Sequence, residues 1–381
     1  MKLTRREFSA GLAAGLAAPA LMRSAWAQGA TIKIGMCVPV TGPAAEQGLW
    51  AQNGAKLALA AVNKAGGVLG KQVELVIEDD QTTNPGIVLA FSKLAAQSDI
   101  VAFLGSIRST QVQAMAPDVI KVGKPVMIGG TNPDLTHSGN PWLFRFRPND
   151  NYSGRVIADF GVNTLGKKKW AIVHSTDAFG TAGGKALTEA LTKLGAPPVL
   201  DQGYANQSQD FTPVVLAVKQ SGADVLGTYF TFENDLGIFA RQLRQLGVNI
   251  PWVGSPSVVA VSSTKLAGPA LFNTYGVADF AEDSSDAAKA FGKAYRDAYK
   301  TAPDNQSAWP YDAITILSAA INKAGSTDPN KVRDAILATQ KFAGAEGEYN
   351  FDKNGDGLHG YNVVKNDKGK IVYDKHIDFN D

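Results

Sequence analysis

For most of its length the chain alternates between short apolar runs and amphipathic stretches of helical period, in two successive series. No other property restricts its fold as much. An apolar run, a helix and a second apolar run make a crossover unit, which requires a parallel sheet covered by helices. The first series opens with an apolar run at residues 32–40, closed by the turn Thr41-Gly42-Pro43. A helix is predicted over 48–64, with apolar residues at Trp50, Ala51, Ala55, Leu57, Ala58, Ala61 and Val62 making one face and Gly66-Gly67 as its stop. A strand at 73–78 and a helix at 85–97 continue the alternation, which runs to about Arg147. The second series begins with a helix at 153–165. Strands follow at 169–174, near Val199, at 225–230 and at 252–254, separated by helices at 180–194, 211–220 and 234–246.

Beyond a strand at 274–277 the order changes. Helices at 287–300, 311–324 and 331–338 follow one another without strands, and strand-like pairs at 361–365 and 370–373 end the chain. Helices of that kind cover a sheet already built, so the chain is expected to return to the first lobe near Asp279 and cross back near Gly344. The fold class expected is α/β, two doubly wound Rossmann-like lobes joined by a three-crossing hinge. The N-terminal lobe would hold 30–148 and 279–344, and the C-terminal lobe 149–278 and 345–381. A hinge between two lobes makes a cleft that can close.

Residues 1–27 read as an export signal. Thr4-Arg5-Arg6-Glu7-Phe8 resembles a twin-arginine motif, an Ala/Leu-rich stretch follows, and Ala25-Trp26-Ala27 supplies small residues two apart. A plain secretory signal is the alternative and leads to the same compartment, the periplasm. Removing these residues takes away Lys2, Arg5, Arg6 and Arg23 against Glu7, so the net charge moves from +2 to −1. A nearly neutral chain offers no basic face, and no nucleic-acid partner is expected. With Cys37 the sole cysteine there is no internal disulfide, and ordinary core burial must hold both lobes.

The stretch 105–136 is the most informative for function. It carries two hydroxyl-bearing turns, Ser109-Thr110 and Thr131-Asn132, about one helix apart, each after an apolar run. In a parallel sheet both turns lie beyond the carboxyl ends of strands, where helix N-termini offer unpaired N–H groups to an anion. One edge of the protein is therefore expected to grip a small anionic group. The other reading is that Ser109 only caps its helix.

Signals for catalysis are weak. There is no G-x-S-x-G elbow and no H-E-x-x-H. His137, His174, His359 and His376 are not spaced as metal ligands. The segment Gly180-Thr-Ala-Gly-Gly-Lys185 fails as a phosphate loop, because Phe179 stands where a glycine is needed and Ala186 where a hydroxyl is needed. Asp352, Asn354, Asp356 and Gly357 match the first half of a calcium loop, but Val363 occupies its twelfth position and cannot chelate. A turn rich in Asn, Asp and Gly is the preferred reading. No metal, no cofactor and no enzymatic activity are expected.

Several segments together carry a family resemblance: Ile34-Gly to Thr41-Gly-Pro, Asn53-Gly-Ala55, Val62-Asn-Lys-Ala-Gly-Gly67, Glu78-Asp-Asp80, Thr131-Asn-Pro-Asp-Leu135 and Leu243-Arg-Gln-Leu-Gly247. The mature chain resembles the branched-chain amino-acid (leucine/isoleucine/valine) type of periplasmic solute-binding protein that feeds ABC importers. The resemblance implies the type I periplasmic binding protein fold, a monomer, a small-molecule carboxylate ligand and a membrane permease as partner. A ligand-presenting sensor partner would use the same closed form. The resemblance further implies that Ser109, with Thr110 beside it, and Thr131, with Gly129 and Gly130 giving main-chain access, hold the ligand carboxylate.

On the second lobe the family's aromatic positions fall on Phe179 and Phe232. Pro256 stands where amino-acid binders carry an acid for the ligand ammonium. An ammonium buried without a countercharge costs several kcal/mol, so a carboxylate lacking that group is expected, unless Glu233, Asp235 or Asp279 swings in. Its body would lie against Phe179, Phe232 and Trp50, its far end near Gln47, and Arg108 is a candidate second anchor. A branched-chain or other amino acid is the alternative ligand.

Overall fold

The structure, a computed structural model, describes residues 31–379. The export-signal reading of residues 1–27 lies outside them.

The first sheet contains β1 (Ile32–Val38), β2 (Val73–Asp79), β3 (Ile100–Leu104), β4 (Val126–Ile128) and β5 (Leu143–Arg145), in the order β2-β1-β3-β4-β5. All of its pairings are parallel, with Ile34 opposite Leu75 and Phe103 opposite Val126. Its first three crossovers are α1 (Ala45–Lys64), α2 (Asn84–Ala95) and α3 (Ser109–Val122), and the short α4 (Asp134–His137) precedes β5. Ile34, Met36, Ala55 and Ala58 pack in a core on one face, while Phe91, Leu94, Phe103 and Val112 fill the other. Burial on both faces explains why these strands read as continuous apolar runs.

The second sheet is wound in the same way. Its strands are β6 (Trp170–Ser175), β7 (Leu200–Tyr204), β8 (Val225–Tyr229), β9 (Trp252–Gly254) and β10 (Tyr275–Ala278), with β13 (Gly360–Asp367) and β14 (Lys370–Asp378) added antiparallel at one edge. Helices α5 (Asp150–Asp159), α6 (Ala178–Lys193), α7 (Thr212–Gln220), α8 (Glu233–Gln245) and α9 (Val261–Ala267) accompany it. The order β7-β6-β8-β9-β10 repeats the β2-β1-β3-β4-β5 of the first sheet. Each sheet therefore has its topological switch point between its first and third strands, the place where doubly wound sheets bind ligands.

Helices α10 (Asp286–Tyr299), α11 (Asn305–Ala324) and α12 (Pro329–Leu337) follow β10. Trp309, Ile316, Leu317 and Ile336 join the same core as Ile34 and Met36. Helix α11 starts six residues before the predicted 311, because Asp304 builds a capping box with Ser307 and Pro310 is accommodated inside the helix. A short ribbon of β11 (Phe342–Ala343) and β12 (Glu348–Tyr349) precedes the return to the second sheet.

Three segments pass between the sheets and are tied together where they cross. The Arg147 guanidinium pairs with Asp279, Tyr349 donates to the Phe146 carbonyl at 2.8 Å, Tyr361 to that of Pro148 at 2.7 Å, and Asn362 to that of Asp279 at 2.8 Å.

Candidate functional site: the cleft between the two sheets

The switch points of the two sheets face each other across one small cavity. The first sheet brings Gln47 from α1, Ile107 to Ser109 from the turn after β3, and Thr131 from the turn after β4. The second brings Phe179 at the start of α6, Phe230, Thr231 and Glu233 around the turn after β8, and Pro256 and Ser257 after β9. Arg147 from the first crossing and Asn305 and Gln306 from the first turn of α11 complete the wall. The cavity measures about 50 Å³, room for a few water-sized groups, so the two walls must part to admit a solute.

Contacts across the cleft account for this closure. Gln47 donates its amide to the Glu233 carboxylate, Arg108 donates Nη1 to the Thr231 carbonyl at 3.1 Å, and Asn132 donates to the Ala178 carbonyl at 3.3 Å. The Ala178 amide in turn donates to Thr110 Oγ1 at 3.3 Å.

Ser109 opens the fourteen-residue helix α3, whose N-cap residue Arg108 supplies no side-chain acceptor to the first-turn amides. Those amides and the positive end of the helix are left for an anion. Ser109 Oγ accepts from the Asn132 amide at 3.1 Å, which leaves its proton to donate. The Thr131 hydroxyl behaves differently: it donates to the buried Asp150 carboxyl at 2.9 Å. Burial pushes Asp150 up to about 7, against the pull of that hydrogen bond and of Arg145 and Arg147. Gly129 and Gly130 bring the end of β4 close in. A Cβ on Gly130 would stand 3.2 Å from Ser109 Cα and 2.8 Å from Leu135 Cδ1, and one on Gly129 would stand 2.9 Å from the Trp309 ring.

Arg108 is 8% exposed. Its Nη2 donates to Gln47 Oε1 at 2.6 Å and its guanidinium lies 4.4 Å from the centroid of Phe232, while Nε has no partner. Burial lowers its pKa, partly offset by Glu233, Asp80 and Asp177. Glu233 is pushed up to about 7 by burial and drawn back by Arg108. Gln47 thus stands between the two charges, amide oxygen to the guanidinium and amide nitrogen to the carboxylate.

Of the residues singled out in the sequence, Gln47, Arg108, Ser109, Thr131, Phe179 and Pro256 meet on the cavity wall. Thr110, Gly129, Gly130 and Phe232 do not line it. Thr110 is a contact between the walls, the two glycines pack against Trp309 and Ser109, and Phe232 supports Arg108 from behind. Phe230 takes the place expected of Phe232, and Trp50 is buried away from the cavity. Of the three acids named as exceptions to a second wall without a countercharge, Glu233 lines the cavity. Asp279 is committed to Arg147, and Asp235 accepts the Gln207 amide at 2.8 Å. Sequence reasoning missed Arg147, Asn305 and Gln306. The capping pattern at Asp304 and Ser307 was the signal for the last two.

A second cluster, His137, Asp352 and Asp356, offers ligand atoms within 4.8 Å of one another. Asp356, however, accepts from Arg145 Nε at 2.8 Å, Thr136 Oγ1 at 2.7 Å and Asn149 Nδ2 at 2.7 Å. Asp352 Oδ1 accepts the amides of Asn354 and Asp356 at 2.8 and 2.9 Å. These carboxylates serve an internal ion pair and a turn, and an added cation would meet the Arg145 guanidinium.

Two equally wound α/β lobes, hinged by three crossings and closing on a small cavity of mixed polar and apolar lining, define a solute-binding protein. A family model described as periplasmic binding protein matches residues 31–370, and the chain belongs to that family, whose members serve ABC transporters. An amino acid binding protein of Pseudomonas aeruginosa is 30% identical over 349 residues, covering 90% of this chain and 92% of the relative. Among solved structures, the branched-chain amino acid transporter substrate binding protein of Streptococcus pneumoniae, in complex with isoleucine, superposes with a TM-score of 0.84 at 25% identity, covering 92% of this chain and all of that one. A solute binding protein from R. palustris, in complex with benzoate, shares the fold with a TM-score of 0.82 at 21% identity, covering 92% and 98%.

Proposed function

We propose that this chain captures a small carboxylate in the periplasm and delivers it to the membrane permease of an ABC importer, and that its preferred solute is an aromatic or aliphatic acid without an ammonium group. The observation that carries this reading is Arg108. A guanidinium buried in the cleft, with Nε unpartnered and no carboxylate at ion-pair distance among the described residues, bears a desolvation cost that an incoming anion would offset. It stands beside Ser109 and the uncapped start of α3, so charge-assisted hydrogen bonds of ~1.5 to 3 kcal/mol each are available to one carboxylate. Phe179, Phe230 and Pro256 give the body of the solute an apolar surface. The benzoate complex of the R. palustris protein shows that this fold can hold such an acid.

A second reading, an α-amino acid, draws support from Glu233 on the same wall and from the isoleucine complex of the S. pneumoniae protein. It is less favoured, because Glu233 is engaged by Gln47 and its burial favours the neutral acid. Calorimetric titration of the purified protein with benzoate, phenylacetate, cinnamate, short aliphatic acids, leucine and valine separates the two. Binding of the simple acids with weak or no response to leucine and valine is expected. Tight leucine or valine binding without response to the simple acids would overturn the proposal.

A further inference from the structure

The cavity has a second open hydrogen-bonding position besides Arg108. Asn305, the first residue of α11, is 8% exposed and lines the cavity. Its Nδ2 donates to Asp279 Oδ1 at 3.3 Å, while its Oδ1 is buried without a partner. The orientation of this amide is determined by its neighbour. Asp279 pairs with the Arg147 guanidinium and accepts from Asn305 Nδ2, so turning the amide over would set oxygen against oxygen. Oδ1 is therefore an unpaired acceptor on a residue of the cavity wall, and a buried acceptor without a donor costs roughly 1 to 3 kcal/mol. The Arg108 wall offers a donor to the solute and the Asn305 wall offers an acceptor.

We propose that Asn305 is a specificity residue for a hydroxyl group at the end of the solute remote from its carboxylate, so that the preferred class is a hydroxylated small acid. The inference rests on the carboxylate reading above. A hydroxyl brings the single donor that Oδ1 lacks, and its lone pairs can face the Gln306 amide and the Arg147 guanidinium on the same wall. An ammonium fits less well. It brings three donors and a positive charge to a position next to Arg147, whose countercharge Asp279 is already taken.

The test is calorimetric titration of the wild-type protein and of Asn305→Leu with benzoate, 4-hydroxybenzoate and 4-methoxybenzoate, and with butyrate and 4-hydroxybutyrate. The wild type is expected to bind at least one hydroxylated acid about tenfold or more tighter than its parent, and the methyl ether, which has no donor, should lose that gain. In Asn305→Leu the hydroxylated and parent acids should fall within about threefold of each other, whatever the common change in affinity. If Asn305→Leu does not fold, the hydroxyl-to-ether comparison in the wild type decides alone. Equal binding of parent and hydroxylated acids, or a preference that survives in Asn305→Leu, overturns the inference and leaves the carboxylate reading standing. No binding of any carboxylate, or a preference for amino acids, overturns both.

Discussion

Arg145 and Arg108 are both buried guanidinium groups at carboxyl ends of strands in the first sheet, yet they are used in opposite ways. Arg145 has every donor placed: Nε on Asp356, Nη1 on the carbonyls of Gly130 and Asn132, Nη2 on the carbonyl of Pro133 and on Thr136. It fixes the hydroxyl turn after β4 to the loop that carries Asp356. Arg108 touches one carbonyl across the cleft and the Gln47 amide on its own wall, and its Nε has no partner. A saturated buried charge is part of the frame, whereas an unsaturated one facing a cavity is a place for a ligand.

The largest effect should come from the saturated site. Arg145→Met leaves Asp356 buried without its cation and should cost about 3 to 5 kcal/mol, read as a large fall in melting temperature or as loss of folded protein. A near-neutral result would dissolve the contrast between the two arginines. Arg108→Met should change stability by only about 1 kcal/mol, while weakening carboxylate binding roughly ten- to a hundredfold in titration calorimetry. The two hydroxyls sharpen the comparison further. Ser109→Ala should weaken binding by about tenfold, and Thr131→Val by less, because the Thr131 proton is already committed to Asp150; the double change should leave the fold intact.

The smallest effect is on pH dependence, and the two sites should move it in opposite directions. Arg145 and His137 hold Asp356 well below its ordinary 3.8 despite its burial. Its contribution is present above that value and lost as the pH falls below it. Glu233 is raised to about 7 from 4.5, so the folded state binds the proton more strongly than the unfolded chain. Its contribution to stability is therefore present at low pH and declines between about 4.5 and 7. Melting temperatures across this range should show Glu233→Gln flattening the upper arm and leaving the acid arm unchanged.

Much of the frame was legible because the alternation of apolar runs and amphipathic helices is a local property. The hydroxyl turns were legible for the same reason, since strand ends and helix starts place Ser109 and Thr131 without knowledge of the other lobe. What escaped depends on contacts remote in the chain. Nothing local couples Gln47 to Glu233, or shows that the Thr131 proton belongs to Asp150. Phe230 and Phe232 differ by one alternation at the end of β8, and which of them reaches the cavity is decided by how α8 starts. Pro310 concealed the first turn of α11, since proline is read as a boundary, and with it Asn305 and Gln306.

A crystal structure with the bound solute tests the central claim most directly. The acid group should lie within hydrogen-bonding distance of Ser109 Oγ and the first amides of α3, with the Arg108 guanidinium turned toward it. An acid end remote from α3, or an amine seated against Glu233 beside Pro256 while Arg108 stays on Thr231, would contradict the account.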